Sequence, residues 1–202
     1  MTDVITPTLL DGALDYGAYR ALVDKLLADG KATGEVQSEA RVHYTKLNVS
    51  RMNRLDRTTK LTEELRGTLA DLKEDYTILV LTEGWCGDAA QIVPVLEKVA
   101  EASPHLHLRL LLRDEHPGVM DLLLTNGARS IPKLAFVRDR GTQMLGDWGR
   151  PAEVLEMLRA FKASGDGDYA AFSERVHGWY ARDRTQAIQR ELSERIRTWT
   201  TV

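Results

Sequence analysis

The chain has 202 residues, 43% of them hydrophobic, with 27 Lys+Arg against 30 Asp+Glu and a net charge of −3. That length suits one enlarged domain or two small ones with a sizeable core, and the scattered charge offers no basic face for nucleic acid or for a membrane surface. One cysteine, Cys86, excludes an intramolecular disulfide and fits a reducing compartment.

Residues 1–7 carry no basic n-region and no long apolar run. Neither a signal peptide nor a membrane span is expected, and a cytoplasmic location follows as the default. Leu14, Ala18, Leu22 and Leu26 recur at spacing four and predict a helix over 11–29, with Asp11 as its N-cap and Gly30 as its stop. Residues 30–34 read as a loop and 36–55 as mostly helical. The stripe Leu61, Leu65, Leu69 and Leu72 predicts a helix over 59–73.

The apolar run 76–82 then reads as a buried strand, and 89–102 as a helix kinked by Pro94. Alternation of Leu106, Leu108, Leu110 and Leu112 predicts a second strand. A short helix is expected over 117–125. Residues 134–137 and 143–148 flank Asp139-Arg140-Gly141 as a hairpin. Pro151 suits the first turn of a helix reaching about Ala163. After the break at 164–168 come two amphipathic stripes, one with Phe172, Val176 and Trp179, the other with Ile188, Leu192, Ile196 and Trp199.

The motif Trp85-Cys86-Gly87-Asp88-Ala89 stands between the first strand and the helix that follows. A cysteine there meets the unpaired N–H groups and positive dipole of a helix N-terminus, which favour the thiolate. The motif resembles the thioredoxin redox centre Trp-Cys-Gly-Pro-Cys. Residues 126–137, with Ser130-Ile131-Pro132, resemble that family's cis-proline segment, 46 residues beyond Cys86.

The resemblance implies an α/β thioredoxin-like fold, β-α-β-α-β-β-α, over residues 75–165. Residues 1–74 and 166–202 become N- and C-terminal helical extensions. The first of these is similar to the extension of a bacterial thioredoxin-like group. Asp88 replaces the family's proline and Ala89 its second, resolving cysteine, so a mixed disulfide cannot be resolved within the chain.

Cys86 is therefore the candidate nucleophile, with an inert junction residue as the alternative. Asp88 would raise its pKa by like-charge repulsion, or would serve the helix dipole. Arg129 would offset Asp88 if it points inward. Trp85 would pack beside the thiol, and Gly87 would allow close backbone approach. Where the family keeps a buried acid this chain has Val80. Glu83 is the nearer substitute, unless it is a solvated loop residue. The resemblance makes Ile131-Pro132 cis, offering backbone groups to an extended substrate, with a trans proline opening an edge strand as the alternative.

The five histidines lack zinc spacing, so no metal is expected. Trp179, Tyr180 and Trp199 are candidates for a ligand or partner helix, or for core cover. These readings point to a monothiol oxidoreductase acting on a protein or small-molecule disulfide. It would need no cofactor beyond a low-molecular-weight thiol as co-substrate. The alternatives are a redox-inactive binding module, its helical extensions gripping a protein partner, and a single-cysteine redox sensor.

Overall fold

The computed structural model describes residues 4–201. A single sheet carries β1 (Tyr76–Thr82), β2 (Leu106–Leu112), β3 (Lys133–Arg138) and β4 (Gln143–Trp148) in the order β2-β1-β3-β4. β1 runs parallel to β2 and antiparallel to β3, and β3 runs antiparallel to β4. The parallel pair needs a crossover, which α5 (Gly87–Glu101) supplies. As the inner strand next to that crossover, β1 buries every residue from Ile78 to Thr82. β2 keeps its alternation, with Leu106 and Leu108 buried and His107 exposed.

The remaining helices are α1 (Pro7–Gly12), α2 (Tyr16–Ala28), α3 (Glu39–Thr58), α4 (Glu63–Ala70), α6 (Pro117–Leu122), α7 (Ala152–Ser164), α8 (Tyr169–Asp183) and α9 (Gln186–Thr200). From β1 to α7 the order is β-α-β-α-β-β-α, with the hairpin turn at Asp139–Gly141. α3 packs along α5, and α9 packs against α4 and β4. No helix among the described residues is long and apolar enough to cross a membrane.

The expected helix over 11–29 is two helices. The chain leaves α1 because Leu14 is needed on the sheet: its N–H and carbonyl bond Leu110 at 3.0 and 2.8 Å, covering the open edge of β2. The N-cap is accordingly Asp15, whose Oδ1 accepts from the Ala18 N–H at 2.7 Å, while Asp11 pairs with Arg140. The buried face of α2 is Tyr19 and Val23, and Ala18 is exposed.

Ser38 caps α3, which runs three residues past the expected end. α4 is shorter than 59–73 because Thr62 caps it at Leu65. α5 starts two residues early, at Gly87. α6 stops at Leu122, before a tight turn closed by Thr125 and Ala128 at 2.9 and 3.0 Å. Pro151 is the N-cap of α7 rather than part of its first turn, and Gly165 ends that helix at φ +69°.

α9 packs on the sheet through β4, beside α4 and α5. Trp199 stacks on Phe136 at 5.2 Å, and Phe136 stacks on Tyr76 at 5.0 Å. A Cβ on Gly146 would overlap the Trp199 indole, so this approach requires glycine.

Candidate functional site

β1 ends at Thr82, the chain turns through Glu83, Gly84 and Trp85, and Cys86 becomes the N-cap of α5. Its side chain makes no cap hydrogen bond. The thiol donates instead to the carbonyl of Ile131 at 3.4 Å, directly before the cis Ile131–Pro132 bond.

Arg150 ties this floor together. Its Nε donates to Asp88 Oδ2 at 2.7 Å, Nη1 to Ser130 Oγ at 2.6 Å and Nη2 to Ile131 O at 2.6 Å. The Tyr180 hydroxyl, from α8, donates to the other Asp88 oxygen at 3.0 Å. Asp88 lies in the first turn of α5, where the helix dipole also favours its charge.

The electrostatic balance at Cys86 runs opposite to the helix-terminus expectation. Burial pushes the thiol up to about 11, and the Asp88 carboxylate adds to the rise. The Arg150 guanidinium and the N–H groups of Asp88 and Ala89 oppose it and are outweighed. The cavity that Cys86 lines is walled in part by α8, which the sequence motif does not reveal.

On α8, His177 seats its ring on Gly87, where a Cβ would lie 2.7 Å from Cε1 and Nε2. Its Nδ1 is 3.3 Å from Gln91 Nε2. Burial and the nearby Arg51 lower its pKa to about 4, so the ring is neutral at pH 7. Trp85, half-buried, carries the guanidiniums of Arg41 and Arg113 at 4.4 and 5.0 Å from its ring centroid.

A cavity of about 390 Å³ opens above Cys86. Of the residues expected at the site, Trp85, Cys86, Gly87, Asp88, Arg129 and Ile131 line it. Glu83 and Pro132 are outside it. Pro132 is buried. Glu83 is fully buried rather than solvated, with Oε1 accepting from the Asp114 N–H at 3.1 Å, and burial raises its pKa.

Arg129 does not reach Asp88. It forms two 2.8 Å hydrogen bonds to Asp121, an exposed residue of α6. Arg150 takes the role assigned to Arg129 because β4 lies beside β3, and the residue just past its end arrives next to the segment that precedes β3. The trace in the sequence is Gly149-Arg150-Pro151 immediately after the hairpin: Gly149 passes close to the Pro132 carbonyl, where a Cβ would sit at 2.9 Å. Of the three aromatics weighed for a ligand, a partner helix or core cover, Tyr180 is buried and bonds Asp88, and Trp199 is buried on Phe136.

A thioredoxin family model matches residues 34–162. Nothing matches among the curated proteins. Among solved structures, a crystal structure of an HIV epitope scaffold is similar at 17% identity and a TM-score of 0.59, covering 94% of this chain and 96% of its own. A crystal structure of a protein of unknown function from Pseudomonas aeruginosa follows at 19% identity and a TM-score of 0.52, covering 86% of this chain and 93% of its own. At these identities the two structures speak for the fold alone. The matched segment, by contrast, is more than half of the chain, and it holds the four-stranded sheet, the Cys86 turn and most of α7. The chain belongs to the thioredoxin family.

Proposed function

We propose that the protein carries out thiol–disulfide exchange with Cys86 as its sole thiol. The observation that supports this reading is the placement of the Cys86 sulfur: at the N-cap of α5, 3.4 Å from the carbonyl preceding Pro132, and facing a cavity. The Cys86 thiolate attacks one sulfur of a disulfide R–S–S–R. The S–S bond breaks, R–S⁻ leaves and takes a proton from water, and Cys86–S–S–R forms. An external thiol R′–SH, as its thiolate, attacks the R sulfur. Cys86 leaves and R–S–S–R′ is released. The sum is R–S–S–R + R′–SH → R–SH + R–S–S–R′, with no net oxidation.

No cofactor is needed beyond this low-molecular-weight thiol. That requirement fits a thiol-rich compartment such as the cytoplasm. With the thiol raised to about 11, the rate tracks a small thiolate fraction and rises about tenfold per pH unit through the neutral range.

Intact-mass measurement tests the reading. Incubation with a small disulfide should add one R–S group to the wild type and none to Cys86→Ser, and a small thiol should remove it. Absence of any adduct at pH 9 would sink the exchange reading. A second reading, a redox-inactive binding cavity, draws support from the burial of Cys86 and from the double use of the Ile131 carbonyl. It would then lead, with ligand capture retained in Cys86→Ser. The same burial weighs against a sensor working through a disulfide between two copies of the chain.

A further inference from the structure

We infer that the cavity over Cys86 takes small, anionic, partly apolar disulfides or thiols and excludes protein disulfides. The inference rests on the exchange reading for its chemistry and on separate observations for its selectivity.

The first observation concerns size. An extended peptide would approach along the segment before Pro132 and pair with its backbone. Here the Ile131 carbonyl already accepts from Arg150 Nη2 at 2.6 Å and from the Cys86 thiol. The chain's own α8 stands where the peptide would run, with His177 against Gly87 and with Phe172 and Val176 on the cavity wall. What remains is about 390 Å³, within the roughly 300–1,000 Å³ of small-ligand clefts.

The second observation concerns charge. The cavity wall holds three guanidiniums, from Arg113, Arg129 and Arg150, against one carboxylate, Asp88. Asp114 and Asp121, which pair with Arg113 and Arg129, are not on the wall. Arg150 is committed to Asp88, Ser130 and Ile131. Arg113 and Arg129 give their Nε and Nη2 groups to Asp114 and Asp121, so a ligand carboxylate meets the remaining Nη1 of each, with both charges still beside the cavity. Val154, Leu158 and Phe172 give the remainder of the ligand an apolar wall.

Three symmetrical disulfides of similar size separate charge from shape: 3,3′-dithiodipropionate (anionic), bis(2-hydroxyethyl) disulfide (neutral) and cystamine (cationic). Insulin serves as the protein disulfide. Mixed-disulfide formation at Cys86 is followed by intact mass, each rate divided by that of the same disulfide with free 2-mercaptoethanol. The anionic probe should lead the neutral one by about tenfold, with the cationic one slower still and insulin slowest. Arg113→Gln should shrink the anionic lead, and Ser173→Trp, on the α8 wall, should slow all three small probes.

Equal normalised rates across the three charges, or insulin reacting as fast as the small probes, would overturn the inference and leave the exchange reading intact. Failure of every probe to form an adduct would instead sink the exchange reading. Calorimetric titration of Cys86→Ser with the three disulfides then decides the cavity: preference for the anion supports it, and equal or absent binding overturns it.

Discussion

α8 and α9 are both 15 residues long and follow each other in sequence, yet α9 buries seven side chains and α8 three. α9 is bolted to the molecule. Trp199 stacks on the sheet, Thr68 and Ser193 share a 2.8 Å hydrogen bond, and Gln189 accepts from the Thr62 N–H at 2.7 Å. α8 spends its contacts on the site: Tyr180 on Asp88, His177 on Gly87, Phe172 on the cavity wall. At its start Tyr169 is 61% exposed. An extension can thus serve the fold or the site, and the contact partners tell which.

The sharpest way to break that comparison is to truncate one aromatic from each helix. Trp199→Ala should cost about 3–5 kcal/mol in denaturant unfolding and leave the Cys86 alkylation rate of the folded protein unchanged. Phe172→Ala should cost less, because its ring borders a cavity already present, and should speed alkylation of Cys86 several-fold. If the two variants exchange these behaviours, the division of labour is wrong.

Next in size are changes at the floor of the site. Arg150→Met leaves the Asp88 carboxylate without its ion pair and should cost about 3 kcal/mol. It should also push the Cys86 pKa further up, since Arg150 is among the groups that lower it. Asp88→Asn removes a raising charge and should bring the pKa down from about 11, read as an acid-ward shift in the pH profile of alkylation.

A smaller effect concerns acid. His177 has a native pKa of about 4 against an ordinary 6.5. Between those values the unfolded chain takes up a proton that the native chain does not, so stability falls as the pH drops through that window. His177→Gln should flatten this part of the melting-temperature profile between pH 6.5 and 4. An unchanged slope would mean that α8 does not bury the ring. The smallest change is Tyr180→Phe. Asp88 keeps Arg150, and the loss should be about 1 kcal/mol, with a modest change in the Cys86 titration.

Much of this was legible because it is local. β1 is a continuous apolar run, β2 alternates, the hairpin announces itself at Asp139-Arg140-Gly141, and Cys86 falls on a strand-to-helix turn. What escaped is long-range. Arg150 meets Asp88 across 62 positions and Tyr180 meets it across 92, and no periodicity encodes such a contact. Arg129 was the plausible cation by sequence distance, but a tight turn aims it at Asp121. The α1–α2 break was hidden for a related reason: Asp11 and Asp15 are equally good caps by type, and only the edge of β2 chooses between them. The sequence set the helix dipole against Asp88 without deciding between them, because burial, the largest cause of the thiol's rise, is a property of the folded chain and not of the motif.

The carbonyl of Ile131 has two donors, a strong one in Arg150 and a weak one in the Cys86 thiol. A carbonyl oxygen has two lone pairs, and a buried one left unsatisfied is costly. If sulfur gives up its proton to become part of a disulfide, only the weak donor disappears, and Ile131 stays bonded at 2.6 Å. The backbone around the cysteine therefore loses one weak hydrogen bond on adduct formation and leaves no carbonyl unsatisfied. Reduced and modified protein should share one backbone, with the difference confined to what fills the cavity.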